Sequence, residues 1–185
     1  MRFSLAVAAL APVLSVYGAN ILVQVGAGGQ LAFSPTNITA NVGDVVAFQF
    51  QGKNHSVTQS TFADPCALMT TPAVGINSGF QPVAANATEL PEWSFTVNNA
   101  STPLWFFCAQ TNPISHCGQG MVFSVNANPT SAKSFAVYQA AAIASNGAAA
   151  AASAAGSVAS SVVSDAGSVA SAVGEYRGVM LECFR

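Results

Sequence analysis

The sequence predicts an all-β domain, an antiparallel sandwich or barrel, followed by one short helix and a low-complexity tail. Three observations carry this. Apolar residues recur with period two from about residue 20 to 128, clusters of Gly, Asn and Pro punctuate those runs, and the texture changes after Pro129 to Ala, Ser and Gly.

The first element is a leader. MRFSLAVAALAPVLSVYGA opens with one arginine, continues as an apolar run and ends in small residues, with Val16 and Gly18 at the minus-three and minus-one positions of a cleavage site. Residues 1–18 therefore read as a secretory signal peptide. The run is too short for a membrane span and Pro12 breaks it.

The strands follow over 19–129. In GDVVAFQF, Val46, Phe48 and Phe50 share a face; in EWSFTV, Trp93, Phe95 and Val97 do; in PLWFFC, Leu104, Phe106 and Cys108; in MVFSVN, Met121, Phe123 and Val125. Cys108 and Met121 thus point inward with core residues. Trp105 and Phe107 alternate to the opposite side, to pack or to meet solvent. GAGGQ, ANVGD, QGKN, INSGFQP and TNPIS are the turns, with Asp44 serving the second of them. Residues 60–91 are expected to cross between sheets as a long loop held by Cys66 and by apolar residues such as Phe80, with Met69 as loop packing.

After the domain, SAKSFAVYQAAAIAS places Phe135, Tyr138 and Ala142 at helical spacing, which predicts a short amphipathic helix within 130–145. Residues 146–185 repeat GSVAS and are too low in complexity to build a core, so disorder is expected there, as in a stalk with cell-wall association. A glycolipid-anchor signal needs a terminal apolar stretch of about 10–20 residues. GEYRGVMLECFR is charged and short, so no complete signal of that kind is expected, and Cys183 has no obvious partner.

Composition removes several functions. Five basic and seven acidic residues in 185, with no basic cluster, leave no electrostatic footprint for nucleic acid or anionic membrane. A secreted chain meets an oxidising compartment, so Cys66, Cys108, Cys117 and Cys183 are disulfide candidates, and the spacing alone leaves their pairing open. Secretion also gives meaning to the sequons at Asn37, Asn86 and Asn99. Asn54-His-Ser is a sequon too, but a glycan there would crowd His55.

The chemistry concentrates in WFFCAQTNPISHCGQGMVF. The chain has two histidines, His55 just after GDVVAFQF and His116 between Cys108 and Met121. Two imidazoles, a thiolate and a thioether suit copper in both oxidation states: imidazole serves Cu(II) and sulfur serves Cu(I). Cys108 would be the strong ligand, His55 and His116 the other equatorial ones, and Met121 the weak axial one. Zinc prefers paired CxxC or HxxxH spacings and rarely uses methionine; neither spacing occurs here.

The pattern GDVVAFQF, NHSVTQSTF, PC, GF, FTV, LWFFC and HCGQGMVFSVN resembles the cupredoxin domain of fungal secreted serine-rich proteins, relatives of the phytocyanins and plastocyanin-like blue copper proteins. The resemblance spans roughly residues 20–128, and the Ala/Ser tail extends it. It implies a Greek-key β-sandwich with one type 1 copper near one end, held by His55, Cys108, His116 and Met121. It also implies a disulfide from Cys117 to Cys66. One departure stands out: seven residues separate Cys108 from His116, a longer connection than phytocyanin-like members carry.

These observations favour a secreted copper protein of single-electron-transfer or copper-handling type, with an unidentified redox partner. The competing expectation is a non-catalytic cell-wall or matrix protein that uses the same sandwich without functional copper. An enzyme is not expected. Two histidines cannot build a multicopper cluster or a hydrolytic triad beside this site, and the expected mature end at Ala19 or Asn20 lacks the N-terminal histidine of copper polysaccharide monooxygenases.

Overall fold

The computed structural model describes residues 18–145. The expected leader, Gly18 apart, and the 146–185 tail with Cys183 lie outside the described residues.

Ten strands and one helix follow in chain order: β1 (Asn20–Val25), β2 (Phe33–Ser34), β3 (Asn37–Ile38), β4 (Val45–Phe50), β5 (Lys53–His55), β6 (Thr58–Ser60), β7 (Gln81–Val83), β8 (Glu92–Thr96), β9 (Leu104–Phe107) and β10 (Val122–Val125), then α1 at 135–145. One sheet runs β2-β1-β4-β8, the other β3-β10-β9-β6, and β5 and β7 form a separate pair.

Alternation puts the two inner faces together. Val23 and Val25 of β1, and Val46, Phe48 and Phe50 of β4, are fully buried in one cluster with Phe106, Phe123 and Val125 from the second sheet and with Cys108 and Met121 at its strand ends. Leu22, the residue between inward positions, is 50% exposed. Across the sandwich Phe48 meets Phe123 edge-on with ring centroids 5.2 Å apart, and Phe95 stacks on Phe106 at 5.3 Å. The second sheet is covered on its other face as well. Trp105, Phe107 and Val122 pack there with Cys117, Tyr138 and Ala142, so α1 closes the outer side and the residues facing away from Cys108 are buried beneath it.

Two expectations need correction. The sandwich is mixed rather than antiparallel: β1 runs parallel to β4 from Asn20↔Val45 to Val25↔Phe50, and β3 runs parallel to β10. Period two decides which face a residue occupies and carries no information on strand direction. Phe80 does not anchor the 60–91 crossing, being 52% exposed. Backbone bonds hold that segment instead: Gln59 N donates to Ile76 O at 2.9 Å, Met69 N to Gln59 O at 2.9 Å and Ser78 N to Val57 O at 3.0 Å.

The turn before β4 shows how one side chain fixes a strand entry. Gly43 takes φ +96, a conformation glycine adopts without strain. Beside it Asp44 Oδ2 accepts from Asn41 N at 2.7 Å and Oδ1 accepts from Ala19 N at 2.7 Å. These two backbone bonds, to Asn41 first and Ala19 second, hold the carboxyl below its ordinary value of 3.8. A depressed folded-state value contributes stability that is complete above the unfolded value and is lost as pH falls through the folded one. The melting-temperature gap between the parent chain and Asp44→Asn is therefore expected to narrow as pH falls from 7 to 3. A constant gap across that range would contradict it.

Candidate metal centre

Four segments deliver the expected site residues. His55 ends β5, Cys108 follows β9, His116 opens the 3-10 turn Cys117–Gln119, and Met121 precedes β10. The second sheet supplies the alignment. Cys108 N donates to Met121 O at 3.1 Å, and Met121 N donates back to His116 O at 3.0 Å, which folds the connection onto the strand ends. Gly120 turns this corner at φ +88.

Those bonds set Cys108 beside His116, and the end of β5 brings His55 to them. Cys108 Sγ lies 3.6 Å from His55 Nδ1 and 3.5 Å from His116 Nδ1, and the two Nδ1 atoms are 3.1 Å apart. The circle through these three atoms has a radius of about 2 Å, the length of a metal–nitrogen bond. All three residues are buried, and they are the group of His, Cys, Asp and Glu side chains among the described residues whose ligand atoms converge. The donor set and its dimensions fit a single transition-metal ion. Met121 is fully buried in the same core cluster as Cys108.

The electrostatics suit neutral ligands. Burial, then repulsion from His116 and Lys53, pulls His55 down from 6.5 to about 4. Burial and Lys53 lower His116 also. Both rings keep a lone pair free for a metal at neutral pH. Burial raises the Cys108 thiol, opposed by hydrogen bonds from Gln110 and Ser56, so a cation must displace its proton to engage the sulfur.

Ser56 is the residue that sequence reasoning missed. Its N–H donates to Cys108 Sγ at 3.4 Å, and its Oγ accepts from Ala109 N at 2.9 Å. One serine thus grips the cysteine at the sulfur and at the next backbone amide. Its neighbourhood to His55 in the chain was the available signal.

The long connection from Cys108 to His116 does not pull the site apart. His116 N donates to Gln110 O at 2.8 Å, which closes the loop at its base. Gln110 Oε1 accepts from Thr111 N at 3.0 Å and Asn112 N at 2.9 Å. Residues 111–114 therefore project into solvent. Asn112, Pro113 and Ile114 wall a cavity of about 340 Å³ with Leu31, Asn54 and His116.

A disulfide and the helix α1 brace the loop from behind. Cys117, next to His116, forms a disulfide with Cys66 in the long crossing segment. Cys108 is the free cysteine among the described residues, so the thiol is available to a metal. From α1, Gln139 Nε2 donates to Gly120 O at 3.0 Å, while the Tyr138 hydroxyl pairs with Ser60 Oγ and donates to Phe106 O at 3.2 Å. Asn37, Asn86 and Asn99 are all exposed, as their sequons require. Asn54 is half-buried with its Oδ1 enclosed.

Among curated proteins, the chain is 31% identical over 131 residues to "Probable GPI-anchored cupredoxin-1" of the fungus Arthroderma benhamiae, covering 70% of this chain and 63% of that protein. The chain is thus similar to a fungal protein named as a cupredoxin. A second relative from the same fungus, "Extracellular serine-rich protein", is 33% identical over 121 residues, covering 65% of this chain and 43% of its own length. The chain thus spans less than two thirds of either relative's length. No protein-family model matches it. Solved neighbours include auracyanin from Roseiflexus castenholzii (TM-score 0.42, 13% identity, 62% of this chain and 100% of that one). Auracyanin A, a "blue" copper protein from Chloroflexus aurantiacus, aligns at TM-score 0.41 with 21% identity, over 60% of this chain and 98% of its own.

Proposed function

We propose that the chain is a secreted mononuclear blue (type 1) copper protein that passes single electrons, or handles copper, at the cell surface. The observation that carries this is the buried triangle of His55 Nδ1, Cys108 Sγ and His116 Nδ1. Bound copper would supply a one-electron couple between a borderline Cu(II) and a soft Cu(I).

The chain's own residues do the rest. His55 and His116 present neutral nitrogens, Cys108 gives up its proton to present a thiolate, and Met121 offers a thioether from the residue just before β10, whose carbonyl accepts from Cys108 N. Ser56 N–H stabilises charge on the sulfur. The disulfide and the close-packed core resist movement of these donors between oxidation states. Small rearrangement is what rapid electron transfer requires.

Export is supported by the leader-like N-terminus and by the names of the relatives, one extracellular and one GPI-anchored. We place N-glycans on Asn37, Asn86 and Asn99 and none on Asn54, beside the site. The domain acts without a bound organic substrate of its own, as a carrier for an unidentified redox partner rather than as an enzyme. Both histidines and the free cysteine are already committed to the metal.

The full chain titrated with Cu(II) is expected to hold one copper per protein and to develop an intense visible thiolate band. Met121→Leu keeps that band and shifts the reduction potential, read by redox titration. A colourless chain, or several weakly held ions, would contradict the assignment and leave the cell-wall protein without functional copper in its place.

A further inference from the structure

His55 is held in an unusual way. Histidines that bind metals through one ring nitrogen ordinarily donate the other N–H to a carboxylate or carbonyl, which fixes the ring's orientation. His55 directs Nδ1 toward Cys108 and His116. Its Nε2 is buried with no hydrogen-bond partner among the described residues. Hydrogen bonding therefore does not set the angle of this ring, and packing must.

The packing partner is Gly26. This residue follows β1 and takes φ +73, ψ 23, its N–H donating to Ala32 O at 3.0 Å and its carbonyl accepting from Gly29 N at 3.1 Å. A Cβ built on Gly26 would lie 2.5 Å from His55 Nε2 and 2.7 Å from Cδ2, with Gly52 O at 3.1 Å. The imidazole edge rests against the bare Cα. A methyl group there has no room, because Nε2 is enclosed and the ring's other side faces the Cys108 sulfur.

We propose that Gly26 is a positioning residue for His55: the glycine-only wall behind the ring sets where Nδ1 points, in place of the usual hydrogen bond. This deepens the copper reading but stands on a contact present without metal. The same turn contains its own control. Gly28 also has a positive φ, +60, yet a Cβ there meets nothing within 4 Å. Gly26→Ala and Gly28→Ala thus share backbone strain and differ in the collision with the ring.

The test is a double-substitution cycle on the metal-free full chain, read by melting temperature. Gly26→Ala is expected to lower it by several degrees more than Gly28→Ala. In a His55→Ala background most of that difference should vanish, leaving only the lesser contact of the Gly26 position with Gly52 O at 3.1 Å. If Gly26→Ala alone does not fold, Gly26→Ala with His55→Ala should. An excess cost at Gly26 that persists undiminished without the imidazole would overturn the proposal.

The consequence for the site is read separately in copper-loaded protein. Gly26→Ala is expected to weaken copper affinity about 10- to 100-fold, as loss of outer-shell support does elsewhere, and to move the thiolate band, while Gly28→Ala leaves both unchanged. An unchanged band and affinity in folded Gly26→Ala would also overturn the proposal. A parent chain that takes no copper would instead defeat the copper reading, with the metal-free cycle still deciding the contact.

Discussion

Cys108→Ser is expected to abolish the visible absorption of the copper-loaded chain while leaving it folded. The band requires electron density moving from a thiolate to the metal, and Cys108 supplies the free thiol among the described residues. A hydroxyl is nearly the same size, so the core around position 108 keeps its packing with Met121 and Phe106. The Ser56 N–H keeps an acceptor. Absorption spectra of the parent and variant at equal copper, with melting curves as a check on folding, measure the effect. Retention of the band in the variant would mean that another cysteine carries the copper.

Removing the disulfide is the second large effect, and it acts on stability. Cys66 and Cys117 are 51 residues apart in sequence, and a cross-link over that span lowers the freedom of the unfolded chain by about 4 kcal/mol. The substitution Cys66→Ala with Cys117→Ala is therefore expected to lower the melting temperature on the order of 15 °C for a domain of this size. Copper affinity should fall as well, since Cys117 adjoins His116 and the staple ties that turn to the 60–91 crossing. A loss of only a degree or two in calorimetry would show that α1 and the backbone bonds of the crossing hold the loop by themselves.

The sequence carried the inward face of the sandwich well. Val46, Phe48 and Phe50, like Met121, Phe123 and Val125, are buried where alternation placed them, because a half-buried strand must put every second residue inside. The helix was legible for a similar reason: Tyr138 and Ala142 sit one turn apart and both are buried. Strand direction was not legible. The parallel β1–β4 and β3–β10 pairs depend on how connections cross the sandwich, and neither propensity nor period encodes that. Nor was the short β5–β7 pair, whose three-residue strands are too brief to show a pattern.

At the site, residue chemistry was readable and its support was not. Two histidines placed around a cysteine pointed to one cluster, and their donor atoms do converge. The Cys66–Cys117 pairing came with the family resemblance, since spacing alone left three connectivities open. Ser56 and Gly26 act through a backbone N–H and a missing side chain. Both contributions depend on three-dimensional proximity, which a linear sequence does not display. The long 109–115 connection, suspect by length, bulges outward because Gln110 closes its base.

The copper assignment turns on which atoms surround the metal. X-ray absorption at the copper edge, on the full chain loaded with one equivalent, reads those neighbours without relying on colour. The structure predicts one sulfur at short range with two imidazole nitrogens, and loss of that sulfur in Cys108→Ser. A first shell of nitrogen and oxygen alone, or one unchanged in the variant, would contradict the assignment of His55, Cys108 and His116 as the copper site.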